Sequence, residues 1–70
     1  MADFVLEVVV ASNIAFLRPQ TEDAEIWVEE NVDQSGYQPE WPVVLLEQRY
    51  AEELVGALKR FGWTVKGKVI

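Results

Sequence analysis

The residues best able to do chemistry are concentrated at 21–33, TEDAEIWVEENVD, where six carboxylates occur without a Lys or Arg. Carboxylates can ligate divalent cations, exchange protons with a substrate or attract a basic surface. The chain contains no His and no Cys, so it lacks the commonest transition-metal ligands and the commonest general base. Two interpretations of the acidic segment remain: a solvated helix face, or a negative surface aimed at a basic partner.

Residues 33–44 give a partial match to a calcium-binding loop, with Asp33 and Ser35 at its first and third positions. The pattern then requires Gly and Glu where this chain has Gln38 and Val44, so we reject it. No hydroxyl has a His to activate it, and no glycine-rich phosphate loop is present. The sequence predicts no enzymatic activity, no cofactor and no metal site, with a weak Mg²⁺ or Ca²⁺ site on the acidic segment as the remaining alternative.

Charge is divided unevenly along the chain. Residues 1–47 carry ten acids and one base, which gives −9, and residues 48–70 carry five bases and two acids, which gives +3. Nucleic-acid binding depends on Lys and Arg neutralising phosphates, so direct binding of DNA or RNA is not expected. The asymmetry favours either attraction to a basic protein or head-to-tail self-association. One form of the first is mimicry of the phosphate row of DNA by the acidic segment.

The chain of 70 residues has the length of one domain, and a domain this small has a marginal core. Without Cys it has no disulfides, so we expect a second subunit to support the core. The predicted homodimer forms through a sheet edge or through the side of the second helix that carries Gly56. The apolar stretch 4–17 lacks the basic start of a signal peptide and is too short to span a bilayer. We therefore predict a cytoplasmic protein with no membrane partner.

Hydrophobic periodicity predicts four strands and two helices around the acidic segment. Thr21 is a good N-cap for the first helix, and Gly62 suits the position just past the second. The first two strands form either a hairpin or one long strand with a bulge at Ser12–Asn13. The predicted strands are 3–11, 14–19, 43–47 and 63–70, and the predicted helices are about 22–32 and 49–62.

These elements predict an α+β fold in the order β-β-α-β-α-β. The third strand, second helix and fourth strand have the lengths of a right-handed β-α-β unit, which makes the two strands parallel. The apolar run 43–47 is typical of a strand covered on both faces. We expect a two-layer sandwich, a mixed sheet with both helices on one face. The residues predicted to face inward in the second half are Tyr50, Ala51, Leu54, Ala57, Leu58, Phe61, Trp63, Val65, Gly67 and Val69.

The first helix should place Trp27 in the core and Ile26 among the carboxylates of the solvated side. A single exposed apolar residue is ordinary, yet it is also what the centre of an interface needs. The loop at 33–42 carries Tyr37 and Trp41, which we interpret either as core rim or as part of a docking patch. The candidate partner-binding residues are Glu22, Ile26, Glu29, Glu30, Asp33, Tyr37 and Trp41.

Two segments, FLRPQTEDAEIWVEENV at 16–32 and VVLLEQRYAEELVGALKRFGWTV at 43–65, combine several short motifs. These are a Pro-x-Thr helix start, a Trp followed by Glu-Asn-Val, and a strand running into a Glu-x-Arg-Tyr helix that ends at Gly. In this combination the chain resembles a group of small uncharacterised bacterial and phage-type proteins. The resemblance covers about residues 16–65, supports the element boundaries and implies no activity.

The sequence as a whole predicts a small, acidic, non-enzymatic protein-binding module. In this hypothesis the acidic helix docks on a basic partner, as in an inhibitor of phage or plasmid type. The alternative hypothesis is a self-assembling structural or accessory protein.

Overall fold

The computed structural model describes residues 2–32 and 38–69, which contain four strands and two helices. Their order, β-β-α-β-α-β, is the predicted one, and the fold is α+β. The elements are β1 (Phe4–Val8), β2 (Ile14–Pro19), α1 (Glu22–Asn31), β3 (Val44–Glu47), α2 (Gln48–Arg60) and β4 (Val65–Val69).

The strands form one mixed sheet in the order β3-β2-β1-β4. β1 and β2 pair antiparallel, with Val8 opposite Ala15, so the first two strands form a hairpin and not one bulged strand. β3 is antiparallel to β2, and β4 is parallel to β1. β3 and β4 therefore run in the same direction, as predicted, but they lie at opposite edges of the sheet.

Local signals fix both helices. The Thr21 side chain accepts a hydrogen bond from the backbone N–H of Ala24 at 3.1 Å, and acidic residues fill the first turn of α1, where the helix dipole favours negative charge. α2 ends with Lys59 and Arg60 in its last turn. Gly62 then adopts a φ of 93°, a left-handed conformation that costs glycine little.

The core lies between the sheet and the helices. Phe4 of β1 and Leu17 of β2 are fully buried, and they belong to one cluster with Val28 of α1 and Leu58 of α2. Because residues of both helices join the same cluster, both helices lie on one face of the sheet, which confirms the predicted two-layer arrangement.

An aromatic cluster ties β1, α1 and the segment before β4 together. The Phe4 ring lies 6.1 Å from Trp27 and 5.5 Å from Trp63, measured between centroids, and each pair is edge-to-face. Trp27 and Trp63 are 6.3 Å apart. Trp27 is half-buried and packs against the core, so its predicted inward direction is confirmed. Such contacts add stability beyond the apolar area that they bury.

Four residues predicted to face inward are instead exposed: Gly67, Tyr50 by 51%, Phe61 by 74% and Val69 by 71%. Tyr50 lies in the first turn of α2, Phe61 lies just past its end, and Gly67 and Val69 belong to an edge strand. Periodicity reports the direction of a side chain but not whether another element reaches that position. The predicted stripes were therefore longer than the surface available to cover them.

The prediction that residues 43–47 are covered on both faces is also wrong. β3 is an edge strand, and only one of its faces meets the core, through Val44 and Leu46. Leu45 points to the other face and is half-buried. Its apolar side chain extends the apolar run without a helix above it, which explains why the run looked like a doubly covered strand.

Candidate functional site

The outward side of α1 gathers the acidic residues. Thr21 caps the helix, and the fully buried Ala24 and Val28 attach it to the core. This anchoring turns the opposite side of the helix to solvent. Ile26 is 43% exposed there. The exposed carboxylates of α1 are Glu22, Asp23, Glu25, Glu29 and Glu30.

Within residues 2–32 and 38–69, no ion pair involves a carboxylate of α1. The pairs in that part of the chain are Arg18 with Glu7 and Arg49 with Glu47. Among these described residues, the negative charge of α1 is balanced by solvent and salt, and not by a cationic side chain. A rigid helix with uncompensated charge produces a field that attracts cationic surfaces.

Of the predicted partner-binding residues, α1 brings together Glu22, Ile26, Glu29 and Glu30, which recur at the spacing of one helix face. Trp41 lies elsewhere, half-buried and packed against the core, the position expected of a core-rim residue. The predictions for positions 33 and 37 lie outside the described residues.

The face of the sheet opposite the helices is a second surface, which the sequence did not single out. The strand register places Val5 between Arg18 and Lys66, and Glu7 between Phe16 and Lys68. The apolar members of this surface are half-buried, and both lysines are exposed. The alternation of β4 already indicated that its lysines share a face. The pairing with β1, which sequence spacing does not show, adds the remaining members. Hereafter we call this surface the open face.

Charge on the open face is organised by one ion pair. Arg18 donates a hydrogen bond to Glu7, whose side chain is 12% exposed, and this bond raises the pKa of Arg18. The guanidinium also lies 5.9 Å from the centroid of Phe16, within the range of a cation–π contact. Beside the pair is a shallow cavity of about 260 Å³, and the lining residues are Val5, Glu7, Arg18, Gln20, Lys66 and Lys68.

The two edges of the sheet differ. At the β3 edge, the Gln38 amide donates to the Leu45 carbonyl at 3.0 Å and accepts from the Leu45 N–H at 2.8 Å. One side chain thus replaces the peptide group of a neighbouring strand. At the β4 edge, no described residue bonds to the outward N–H and C=O groups of the strand. As far as the described residues go, the β3 edge is capped and the β4 edge is free.

The part of the chain that the structure describes has neither a metal-binding cluster nor a membrane-spanning helix. It contains no cluster of three side chains able to hold a metal ion. Nor does either described helix have the length and apolarity needed to cross a membrane. The surfaces that remain to be interpreted are the outward side of α1, the open face and the free β4 edge.

No protein-family model, curated protein or solved structure matches this chain. The resemblance of residues 16–65 to a group of small bacterial and phage-type proteins stays a prediction.

Proposed function

We propose that this protein is a non-enzymatic binding module that docks the outward side of α1 on a basic surface of another protein. The observation that carries the proposal is the exposure of Ile26, at 43%, among carboxylates that have no ion-pair partner within the described residues. Ile26 supplies an apolar centre, and the carboxylates around it supply a polar rim. Protein interfaces commonly combine these two parts.

The energetics of the helix support this role. α1 is capped and held on the core by Ala24 and Val28, so its outward side is ordered before a partner arrives. Binding therefore loses less conformational entropy than it would if the acidic segment were flexible and became ordered only in the complex. The carboxylates should act mainly on the association rate, and their effect should weaken as salt screens them.

We favour one specific form of this role, in which the chain inhibits a nucleic-acid-binding protein. Such a protein has a basic surface that accepts phosphates, and a row of carboxylates on a helix can occupy the same surface. Duplex DNA should then compete with the module for its partner. Cytoplasmic location belongs to this proposal, since the lack of Cys fits a reducing compartment.

Affinity capture with three forms of the chain tests the proposal. The test variant is Glu29→Lys/Glu30→Lys on α1. The matched control is Glu52→Lys/Glu53→Lys on α2, which changes the net charge equally at two exposed adjacent glutamates. We expect a partner retained by the wild type and the control and lost from the α1 variant. Equal loss from both variants would mean that net charge, and not α1, determines binding.

Binding kinetics with the retained partner refine the test. Reversing the two α1 charges should lower the association rate by at least tenfold at low salt, and the difference should shrink near 0.5 M salt, where the Debye length is only about 4 Å. A change confined to the dissociation rate, with no dependence on salt, would contradict electrostatic docking by α1.

Self-assembly is the second candidate, and Gly56 of α2 is the observation that favours it. A glycine within a helix lets another backbone approach closely. At Gly56 an added Cβ meets no atom within 4 Å, so packing among the described residues gives no reason for glycine there. Sedimentation at high micromolar concentration decides: a stable dimer supports this candidate, and a monomer rejects it.

A further inference from the structure

The free β4 edge presents a specific set of backbone groups. The Phe4 N–H donates to the Thr64 carbonyl at 3.0 Å, and Phe4 is level with Val65 in the parallel register. Along a strand, the N–H and C=O groups of successive residues point alternately to its two sides. This register therefore directs the backbone groups of Lys66 and Lys68 toward β1. The outward N–H and C=O groups belong to Val65, Gly67 and Val69.

Side chains along the same strand differ on its two faces. Lys66 and Lys68 project from the open face, are exposed, and have no ion-pair partner in the described part of the chain. The other face of β4 carries Val65, Gly67 and the exposed Val69. At Gly67 an added Cβ meets nothing within 4 Å, which leaves space for an incoming side chain.

From these observations we propose that β4 accepts an extended acidic peptide of a partner protein as a fifth, antiparallel strand. The peptide backbone pairs with the outward groups of Val65, Gly67 and Val69. Two carboxylates, separated by one residue, lie opposite Lys66 and Lys68 on the open face. The residue between them is apolar and lies over Gly67. This edge site goes beyond the proposed role of α1, because it uses a different element and the opposite charge.

Charge complementarity decides in favour of an acidic peptide over a second copy of β4. In an antiparallel pair of two β4 strands, Lys66 and Lys68 of one copy would face the same lysines of the other on one side of the sheet. Like charges in directly opposite positions destabilise strand pairing, and opposite charges stabilise it. Lys on an exposed edge is a known protection against such self-pairing.

At the β3 edge, in contrast, a side chain hydrogen-bonds to the outward backbone groups of the strand. There, the Gln38 amide satisfies both free groups of Leu45. No described side chain does the same for Gly67 at the centre of β4. An edge left free beside two unpaired lysines is suited to β-strand addition, in which the backbone provides affinity and alternate side chains provide specificity.

The probe for this site is acetyl-Val-Glu-Val-Glu-Val-amide, and its control is acetyl-Val-Lys-Val-Lys-Val-amide. Titration is followed by the amide signals of the ¹⁵N-labelled chain. We expect the glutamate peptide to shift the signals of β4 and its neighbour β1 and to bind at least tenfold more tightly than the lysine peptide. Equal binding of the two peptides, or shifts centred on α1, would overturn the proposal.

Two variants at Gly67 separate edge pairing from simple charge attraction. Gly67→Pro removes the outward N–H and places a ring on the edge, while the inner ladder with β1 keeps its donors. Gly67→Ala retains the N–H and is the matched control. We expect at least a tenfold loss of affinity for Gly67→Pro and a change within about twofold for Gly67→Ala. Unchanged binding to a folded Gly67→Pro variant would overturn strand addition.

A peptide modification tests the same hydrogen bonds without altering the protein. In the proposed antiparallel register, the central valine pairs its N–H and C=O with Gly67. Methylation of that valine nitrogen should abolish binding to the wild-type chain. This test does not depend on whether the Gly67→Pro variant folds. Lys66→Gln/Lys68→Gln should weaken the unmodified peptide about three- to tenfold, because two cross-strand ion pairs are lost. A methylated peptide that binds as tightly as the unmodified one would contradict the proposal.

Discussion

The two faces of the sheet are made by alternate residues of the same strands, yet they have different roles. On the covered face, Phe4 and Leu17 are fully buried beneath the helices. On the open face, Phe16 is half-buried and the ion pair of Glu7 with Arg18 lies among apolar neighbours. From this difference we expect the covered face to determine most of the stability and substitutions on the open face to have smaller effects. Substitutions on the two faces can test this division.

The largest loss of stability is expected for Phe4→Ala. Phe4 has no exposed area and contacts both Trp27 and Trp63, so its removal leaves a cavity at the centre of the core. The expected cost is about 3–5 kcal/mol, a large part of the stability of any small domain. Urea denaturation followed by Trp fluorescence measures it. A loss below about 1 kcal/mol would show that the covered face does not dominate.

A matched pair on β2 sharpens the comparison. Leu17 lies on the covered face and Phe16, its neighbour in the chain, lies on the open face. Leu17→Ala should cost about 2–5 kcal/mol. Phe16→Ala should cost only about 1–2 kcal/mol, although the side chain is larger, because it is half-buried and leaves an indentation open to water. Reversal of this order in urea denaturation would break the distinction between the faces.

The ion pair on the open face should contribute less than the core. Glu7→Gln removes the charged acceptor of the Arg18 hydrogen bond. We expect a loss of about 1–2 kcal/mol, between the small contribution of exposed pairs and the large cost of breaking buried ones. Thermal denaturation at low and high salt measures it. Because Arg18 keeps its contact with Phe16, Glu7→Gln should leave the fold intact, and global unfolding would be the contrary result.

The smallest effect is expected for Lys66→Gln/Lys68→Gln. Both lysines are exposed on an edge strand and unpaired within the described residues. Their neutralisation should change stability by less than about 0.5 kcal/mol. Circular dichroism during urea denaturation is sufficient to measure this. A loss of more than about 1 kcal/mol would show that the lysines support the fold and are not available to a ligand.

Much of the fold could be predicted from the sequence because its local signals agree. The Thr21 cap, the glycine that ends α2 and the alternation around Phe4 each indicate the element that the structure contains. The side of α1 was also predictable, since helical periodicity places Ile26 and the fully buried Val28 about 200° apart.

What could not be predicted depends on long-range pairing. The ion pair of Glu7 with Arg18 needs the hairpin register, and the position of Lys68 beside Glu7 needs a strand pairing across most of the chain. Edge positions are likewise a property of the whole sheet, which is why Leu45 and Val69 were misinterpreted. Hydrophobic periods describe a single element and contain no information on strand order.

The central claim is that binding resides on the outward side of α1, apart from the face that determines stability. The most direct measurement is the dissociation constant of the captured partner for Ile26→Ser, with Val10→Ser as the control, since Val10 is also an exposed apolar residue but lies in a turn. We predict that Ile26→Ser weakens binding at least tenfold, the equivalent of about 1.4 kcal/mol, with its urea midpoint unchanged and with Val10→Ser at the wild-type affinity. An Ile26→Ser variant that binds its partner as tightly as the wild type would contradict the claim.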